Sequence, residues 1–416
     1  MPKFIINGGK ILKGEIPVNG AKNAALKIIA ASLLSDQEIT IKNVPDIEEV
    51  NRLLELCQDV GSEIRRDNGE VVMKTEKIEK IDLDPELVKK IRASVLMIGP
   101  ILLRKGEVRL PHPGGCAIGR RPIDLFVDGF KKFGAEVTEN EDHYHFKAEK
   151  LKGAEFVFPK ISVTATEVMM MSACLAEGKT VLRNAACEPE IPALAEYLNR
   201  CGAKISGAGT HTIEIEGVEK LEADVYEVLP DRVEAGSFAI LGALVGGPVK
   251  VVNCQPNHLR ALWAVFDKMG VDYKIGSDWF EVSKAKKLKP VDIVTHEYPG
   301  FPTDLQQPFT VLLTQSEGMS MVHETIFESR LFYTDKLRKM GASIIMCDPH
   351  RIIINGPTEL YGSRLESPDL RAGFALLLAA LIAEGETQID NVYQIDRGYQ
   401  QVEKRLSELG ADIKRE

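Results

Sequence analysis

Six segments of the chain are apolar on nearly every side, and each is long enough for two to three helical turns. An amphipathic surface helix leaves one polar face, so a helix that is apolar all round must be buried on every side. The sequence therefore predicts six buried helices, within the segments AALKIIAASLL, ASVLMIGPILL, EVMMMSACLA, SFAILGALV, FTVLLTQS and FALLLAALIA.

Each apolar segment is followed by the same succession of patterns. A short break and a strand lead to a helix with one polar face, such as IPALAEYLNRCG, and then to a hairpin-like pair of strands. The amphipathic helix ends at a glycine, as expected where a C′ residue adopts a left-handed conformation. These glycines recur at intervals of 68 to 73 residues by subtraction: Gly61, Gly134, Gly202, Gly270, Gly341 and Gly410.

One such unit cannot cover its own apolar helix, which is the physical reason for repeats to associate. The pattern predicts an α/β protein with two lobes, each an inside-out α/β barrel, built from six βαβαββ repeats with helices inside and sheets outside. A solenoid is the alternative, although a period of about 70 residues is long for that class. The longest apolar run, Ala372 to Ala383, is too short to span a bilayer. We therefore expect no membrane partner.

Composition, charge and short motifs argue against several classes of function. The chain has 416 residues, 44% hydrophobic and 27% charged, with a net charge of −9, which gives no support to nucleic-acid binding. No secretory signal pattern opens the sequence, so we expect a cytoplasmic protein. Seven scattered cysteines and eight histidines show no metal-ligand spacing, and no glycine-rich nucleotide loop is present. We expect no metal, disulfide or organic cofactor.

Cations recur where the predicted helices begin, although a cation there opposes the helix dipole and costs a few tenths of a kcal/mol. This repetition indicates an anionic ligand near several helix starts. Two acidic residues in these places, Asp304 and Asp369, also suit ordinary helix N-caps. The cations are Lys22, Arg92, Arg121, Arg232, Arg371 and Arg397, and Arg330 occupies a similar place before a second helix.

Seven ordered motifs resemble those of the UDP-N-acetylglucosamine 1-carboxyvinyltransferase family, a branch of the enolpyruvyl transferases. The likeness runs from about residue 3 to the C-terminus. A relative that makes 5-enolpyruvylshikimate-3-phosphate shares the six-unit fold but would carry D-K-S in place of AKN. The motifs are NGAKNAALK, LPHPGGCAIGRRPIDL, PKISVTATE, PGFPTDLQQP, ETIFESR, SPDLRAG and QIDRGYQ.

The resemblance implies one lobe of residues 22–229 and a second of residues 1–21 with 230–416, with the active site in the cleft between them and a catalytic loop at 111–123. The implied phosphoenolpyruvate-binding residues are Lys22, Asn23, Arg121 and Arg397. The implied UDP-N-acetylglucosamine-binding residues are Arg92, Arg121, Pro122, Ile123, Asp124, Leu125, Lys160, Ser162, Val163, Thr164, Asp304 and Ile326. Asp369 and Arg371 would support closure around the reacting centre.

The implied reaction moves the enolpyruvyl group of phosphoenolpyruvate to the 3-hydroxyl of UDP-N-acetylglucosamine, the first committed step of peptidoglycan synthesis. Asp304 would take the hydroxyl proton as general base. Cys116, in the Gly/Pro-rich loop, would donate a proton and form a covalent adduct. Lys22 and Arg397 would stabilise the charge of the addition–elimination intermediate.

Four further alternatives remain at this stage. Phe126 stands where many family members carry His, so a different nucleotide or nucleotide-sugar acceptor is one of them. A silent, UDP-sugar-binding paralogue is another, although it would be expected to lose Cys116, Lys22, Asp304 or Arg397, and all four are present. Lys22 as a solvated surface lysine is the third, and Arg397 paired only with Asp396 on a surface helix is the fourth.

Overall fold

A computed structural model of the chain describes residues 2–114, 122–285 and 287–416. The strands are β1 Phe4–Asn7, β2 Leu12–Pro17, β3 Glu38–Lys42, β4 Glu63–Asp67, β5 Glu70–Lys74, β6 Glu107–Pro111, β7 Glu136–Glu139, β8 His143–Lys147, β9 Glu155–Val157, β10 Lys179–Arg183, β11 Lys204–Ser206, β12 Thr212–Glu216, β13 Tyr226–Glu227, β14 Gly246–Val252, β15 Asp272–Ile275, β16 Trp279–Ser283, β17 Ile293–Val294, β18 Gly318–His323, β19 Ile344–Asp348, β20 Arg351–Gly356, β21 Arg364–Glu366, β22 Glu386–Asp390 and β23 Asp412–Arg415.

The helices are α1 Lys22–Ser32, α2 Glu48–Asp59, α3 Pro85–Val88, α4 Ile98–Lys105, α5 Asp124–Lys132, α6 Val163–Ala173, α7 Glu190–Arg200, α8 Arg232–Leu244, α9 Arg260–Met269, α10 Thr303–Leu313, α11 Thr334–Lys339, α12 Leu370–Ile382, α13 Tyr393–Asp396 and α14 Val402–Glu408. Two 3-10 helices span Arg92–Met97 and Pro256–Leu259. Within the described ranges, no helix has both the length and the apolar character needed to cross a membrane.

The repeat is visible in the sheets. In the sheet β11-β12-β10-β9, strand β9 runs parallel to β10, while β10, β12 and β11 pair antiparallel. The same order recurs in the other four-stranded sheets, β13-β3-β5-β4, β15-β16-β14-β2, β17-β18-β20-β19 and β21-β22-β1-β23. The three-stranded sheet β6-β8-β7 has an isolated parallel bridge between Asp82 and Arg109 at the corresponding edge. The strand order of the predicted repeat is therefore confirmed in five sheets, and in the sixth the parallel edge strand is reduced to a single bridge.

The apolar segments form the predicted buried helices. All twelve residues from Val233 to Leu244 of α8 are buried, as are the first twelve residues of α12. The second repeat departs from the prediction, because its first helix begins as the 3-10 turn Arg92–Met97 before α4. Pro100 lies in the first turn of α4 and has no N–H to donate to an upstream carbonyl, which favours the tighter upstream turn.

All six repeat glycines have a positive φ, between 78° and 112°, as predicted for residues that end the amphipathic helices. Gly270 is the C-cap of α9, and its N–H is bonded to the carbonyls of Phe266 and Asp267. A left-handed backbone is costly for residues with a Cβ, so the glycines mark the same chain reversal in every repeat.

The described residues form two compact units. The N-terminal unit comprises residues 20–114 and 122–229, and the C-terminal unit comprises residues 2–19, 230–285 and 287–416. Strand β1 completes a sheet with β22 and β23, and β2 pairs with β14, so the start of the chain belongs to the C-terminal unit. The chain passes between units at Asn19–Gly20. A Cβ on Gly20 would lie 1.8 Å from the Asn43 carbonyl oxygen, so this position requires glycine.

Each unit has its own core. In the C-terminal unit α10 packs against both α8 and α12, and apolar side chains of the surrounding sheets cover them. In the N-terminal unit α6 packs against α4, and α1 and α6 both contact the 3-10 turn Arg92–Met97. Several of the predicted site residues lie at the polar starts of these helices.

Candidate functional site

A cluster of charged side chains in the C-terminal unit is built on Asp304, the second residue of α10. Its Oδ1 accepts a hydrogen bond from Arg330 Nη2 at 2.6 Å. Its Oδ2 accepts from Arg371 Nη2 at 3.0 Å and Arg371 Nε at 3.2 Å. Two guanidinium groups from different parts of the chain therefore orient one carboxylate, with charge-assisted bonds on both oxygens.

Burial distinguishes the carboxylate from its partners. The side chain of Asp304 is 27% exposed, whereas those of Arg330 and Arg371 are 3% and 4% exposed. Burial is the largest influence on the Arg371 guanidinium and pulls its pKa down, but the charges of Asp304 and Asp231 and the interaction with Tyr399 together leave the pKa above its ordinary value. Arg371 therefore stays cationic, and Asp304 is the member of the cluster that a ligand can reach.

The N-cap alternative is wrong for Asp304, because Pro302 precedes α10 as its N-cap and makes no side-chain cap bond. It is confirmed for Asp369, whose Oδ1 accepts from the N–H groups of Arg371 and Ala372 at 2.9 and 3.0 Å. Asp369 thus fixes the first turn of α12, the turn that carries Arg371.

Behind Arg371 lies a buried aromatic residue. Arg371 Nη1 donates to the Tyr399 hydroxyl at 3.3 Å, and that hydroxyl lies 3.0 Å from Ser237 Oγ. The Tyr399 ring stacks on Phe374 at 4.4 Å, and burial raises the pKa of Tyr399 above its usual range. The neutral phenol keeps its proton, so the Tyr399 oxygen accepts from Arg371 while its own O–H is directed to Ser237.

Arg397 lies two residues before Tyr399, at the C-cap of α13. Its Nη1 donates to Gln394 Oε1 at 3.1 Å. The intervening Gly398 is tightly packed, since a Cβ there would lie 2.7 Å from Leu370 Cδ2. Close packing therefore links the segment that carries Arg397 to the start of α12.

In the N-terminal unit, Lys22 and Asn23 are the first two residues of α1. Lys22 Nζ lies 2.8 Å from Glu49 Oε2, and the two side chains are 12% and 14% exposed. The solvated-lysine alternative for Lys22 is therefore wrong. A largely buried ammonium group with a carboxylate partner can exchange that partner for a substrate anion.

Arg92 and Pro122 are brought together, since Arg92 Nη2 donates to the Pro122 carbonyl at 3.2 Å. The adjoining Ile123 is buried as the N-cap of α5, while Asp124 is exposed in its first turn. Tyr144 lies near both Arg92 and Asp124. Burial, followed by a hydrogen bond to Glu139, raises the pKa of Tyr144 to about 12.

The remaining predicted sugar-nucleotide residues lie at three places. Ser162 caps α6, its Oγ accepting from Ala165 N at 3.3 Å; the exposed Lys160 precedes this cap, and half-buried Val163 and Thr164 follow it in the first turn. The half-buried Leu125 lies in the first turn of α5. Ile326 is half-buried, and its N–H donates to Glu324 Oε1 at 2.9 Å.

Cys116, Arg120 and Arg121 fall within residues 115–121, outside the described residues. Phe126, the residue that departs from the family pattern, is 5% exposed and belongs to the core of the N-terminal unit. In residues 2–114, 122–285 and 287–416, no group of three or more His, Cys, Asp or Glu side chains is arranged to hold a metal ion.

Sequence reasoning missed several partners that the structure reveals. It singled out Arg330 as a cation near a helix start but gave it no role on Asp304. It had no signal for Glu49, Tyr144 or Tyr399, because each meets its partner through packing of separate segments. Glu324 does have a signal, since it stands where other repeats carry asparagine.

The chain is similar to known proteins over its whole length. Residues 6–406 match the family model described as EPSP synthase (3-phosphoshikimate 1-carboxyvinyltransferase). A protein of Koribacter versatilis named UDP-N-acetylglucosamine 1-carboxyvinyltransferase is 47% identical over 100% of this chain and 96% of its own length. Proteins of the same name from Halothermothrix orenii and Borreliella burgdorferi are 46% and 41% identical, over 100% of this chain and 100% and 99% of their own lengths.

Solved structures share the fold. The enolpyruvyl transferase NikO from Streptomyces tendae superposes with a TM-score of 0.91 at 23% identity, covering 100% of this chain and 98% of its own. EPSP synthase from Acinetobacter baumannii gives a TM-score of 0.77 at 18% identity, covering 100% of both chains. At these identities the likeness establishes the α/β fold alone.

Proposed function

The chain belongs to the EPSP synthase (3-phosphoshikimate 1-carboxyvinyltransferase) family of enolpyruvyl transferases, and we propose that it transfers the enolpyruvyl group of phosphoenolpyruvate to the 3-hydroxyl of UDP-N-acetylglucosamine, releasing phosphate. The observation that carries this proposal is identity of 41–47% over the whole chain with proteins named UDP-N-acetylglucosamine 1-carboxyvinyltransferase. The product would enter peptidoglycan synthesis, and the reaction would take place in the cytoplasm.

Asp304 is the proposed general base. Its carboxylate is accessible at the start of α10, while Arg330 and Arg371 hold both oxygens in place. It would take the proton of the sugar 3-hydroxyl as that oxygen bonds to C2 of phosphoenolpyruvate. A proton adds to C3 of phosphoenolpyruvate in the same step, and the family resemblance implies that Cys116 donates it. The tetrahedral intermediate then expels phosphate and loses a C3 proton, which restores the double bond.

Phosphoenolpyruvate carries a phosphate and a carboxylate, so its proposed binding residues are cations and an amide: Lys22, Asn23, Arg121 and Arg397. Lys22 supports this role, because it is largely buried and paired with Glu49, and an incoming phosphate would compete for its N–H donors. Asp369 would support the site by fixing the first turn of α12, where Arg371 holds Asp304.

The sugar nucleotide would use two sets of residues. The first set is Arg92, Arg121, Pro122, Ile123, Asp124, Leu125, Lys160, Ser162, Val163 and Thr164. Several of the described members lie at helix starts of the N-terminal unit, where N–H groups and the dipole favour phosphate oxygens. The second set, in the C-terminal unit, is Asp304 and Ile326. We propose that both sets act on the same substrate pair, and that each unit is an inside-out α/β barrel of three repeats.

The decisive experiment measures phosphate release by the full chain with phosphoenolpyruvate and each of several acceptors. We expect release with UDP-N-acetylglucosamine and little or none with UDP-glucose, UDP-N-acetylgalactosamine or shikimate 3-phosphate. Mass spectrometry should find a sugar nucleotide heavier by one enolpyruvyl group. Equal or greater turnover with shikimate 3-phosphate would contradict the proposed acceptor, while release without any acceptor would contradict transfer itself.

A further inference from the structure

The repeats provide an internal reference for the position that follows each central strand. Four of these positions hold asparagines with φ between 54° and 58°, namely Asn43, Asn184, Asn253 and Asn391. The side-chain amides of Asn43, Asn184 and Asn391 each donate to the carbonyl of the residue that follows the parallel edge strand, at 2.8 to 3.1 Å; the acceptors are Val228, Phe158 and Ser367. This asparagine ties two strand ends together and has an evident structural role.

Glu324 occupies the equivalent position of the β17–β18 repeat. Val294 pairs with His323 at the end of these strands, and the Thr295 N–H donates to the His323 carbonyl as the next step of the ladder. The residues that follow are therefore Thr295 and Glu324, in the same register as Ser367 and Asn391. A carboxylate replaces the amide at the one repeat that also carries Asp304.

The carboxylate of Glu324 is fully buried and well bonded. Its Oε1 accepts from Thr295 Oγ1 at 3.1 Å and from the N–H groups of Ile326 and Phe327 at 2.9 and 3.2 Å. Its Oε2 accepts from Thr303 Oγ1 at 2.8 Å. Glu324 thus connects the segment of Ile326 to the start of α10. The hydrogen-bonded asparagines of three other repeats connect two strand ends instead.

The Thr303 hydroxyl transmits this arrangement to the proposed base. Its single proton is donated to Glu324, so its oxygen accepts from Arg330 Nη1, at 2.8 Å. The other terminal nitrogen of Arg330 donates to Asp304 Oδ1 at 2.6 Å. Four side chains form one directed series: Asp304, Arg330, Thr303 and Glu324.

Charge balance gives a second reason for a carboxylate. Arg330 and Arg371 bring two buried positive charges to Asp304, which carries one negative charge. Glu324 supplies another negative charge on the far side of Thr303. A buried cation without compensation is costly, so this carboxylate helps Arg330 remain buried while Asp304 stays accessible, whereas Arg371 also has Asp231 as an anionic neighbour.

We propose that Glu324 is a positioning residue, which acts through Thr303 and Arg330 on Asp304 and through the Ile326 backbone on the sugar nucleotide. The inference rests on the proposed function, in which Asp304 is the general base. Its consequence is specific: breaking the series at Thr303 should impair the chemical step more than it impairs sugar-nucleotide binding, because the contacts of Ile326 remain.

The test compares Thr303→Val, Thr303→Ser and Glu324→Gln in the full chain, with phosphate release as the assay. Thr303→Val keeps the shape but removes the donor and acceptor, and we expect kcat to fall about 10- to 100-fold with the KM for UDP-N-acetylglucosamine within about threefold of wild type. Thr303→Ser restores the hydroxyl and should restore kcat. Glu324→Gln retains an acceptor for the Ile326 N–H and should lower kcat about 10-fold.

A double-variant comparison separates one series from two independent effects. If Glu324 acts through Thr303, adding Glu324→Gln to Thr303→Val should reduce kcat no further. The matched control is Thr387→Val, since Thr387 is a buried threonine of β22 whose Oγ1 has no hydrogen-bond partner among the described residues. It should leave kcat and KM unchanged, and melting temperatures should show all variants folded.

Three results would overturn the proposal. The first is a double variant whose loss of kcat equals the product of the two single losses. The second is wild-type kcat in Thr303→Val, and the third is a rise in the KM of Thr303→Val for UDP-N-acetylglucosamine with kcat unchanged. Each is judged against a wild-type protein that releases phosphate only with both substrates. A wild-type protein without that activity would instead contradict the proposed function.

Discussion

In the C-terminal unit, Asp304 accepts hydrogen bonds from two buried arginines, whereas in the N-terminal unit the buried Glu167 of α6 faces a single lysine, Lys27 of α1. Lys27 Nζ lies 3.2 Å from Glu167 Oε2, and neither oxygen of Glu167 accepts a well-aligned hydrogen bond from the described residues. Both carboxylates, Asp304 on α10 and Glu167 on α6, lie on helices of the apolar cores, so the charged groups around them distinguish the two sites.

The charge state of each carboxylate follows from the number of cationic and hydrogen-bonding partners around it. Burial raises the pKa of Glu167 to about 8, although Lys27 lowers it, and the nearby charges of Glu190 and Glu188 raise it further. Around Arg371, burial lowers the guanidinium pKa most strongly, but Asp304, Tyr399 and Asp231 together outweigh burial and keep Arg371 cationic. Full hydrogen bonding therefore supports an ionised, oriented carboxylate in one unit, and its absence favours a protonated carboxylate in the other.

The largest expected effect concerns Asp304. Asp304→Asn keeps the shape but removes the proton acceptor, so we expect kcat to fall about 10²- to 10⁴-fold. The arginines also lose a charged partner, which should cost about 1–3 kcal/mol of unfolding free energy. Phosphate release and urea denaturation measure the two effects.

The control is the same carboxylate-to-amide change at the buried Glu167 of the N-terminal unit. Glu167→Gln should leave kcat close to wild type, because Glu167 lies outside the proposed binding and catalytic residues. If Asp304→Asn retained more than about a tenth of wild-type kcat, the general-base role of Asp304 would be wrong.

A smaller effect is expected in the pH dependence of stability. The pKa of Glu167 is 4.5 when unperturbed and about 8 in the folded protein. Between these values the folded state holds a proton that the unfolded state has released, so stability falls as pH rises, by up to about 1.4 kcal/mol per pH unit from this group. Glu167→Gln should flatten that slope.

The two units can be followed separately. Trp263 and Trp279 both lie in the C-terminal unit, so tryptophan fluorescence reports that unit, while hydrogen exchange of α1 and α6 amides reports the region of Glu167. Between pH 5 and 8 the protection of those amides should fall in wild type and less so in Glu167→Gln. Glu177→Gln is the matched control, because Glu177 is an exposed carboxylate paired with Lys150. Identical slopes in all three proteins would contradict the raised pKa.

Sequence analysis predicted the six repeats because their signals are redundant: a buried helix, an amphipathic helix and a glycine of positive φ recur in each. It located Asp304, Asp369 and Arg371 through local motifs. It did not pair Lys22 with Glu49 or Arg371 with Tyr399, since 27 and 28 residues separate the partners and side-chain packing alone decides the contact. Residue type alone left the N-cap role of Asp304 open, and only the backbone excluded it.

The smallest expected effect removes one member of the well-bonded cluster. Tyr399→Phe deletes the hydroxyl that accepts from Arg371 and bonds to Ser237. Arg371 keeps its two hydrogen bonds to Asp304, so we expect kcat to fall only about two- to tenfold and the unfolding free energy by about 1 kcal/mol.

Tyr361→Phe is the matched control for that variant, since Tyr361 is exposed and its hydroxyl donates to Glu359 at 2.6 Å. It should change neither quantity. If Tyr399→Phe lost as much kcat as Asp304→Asn, the Asp304 cluster would depend on each of its members, and the remaining hydrogen bonds would not compensate for the loss of one. The contrast with the singly paired Glu167 would then rest on burial alone.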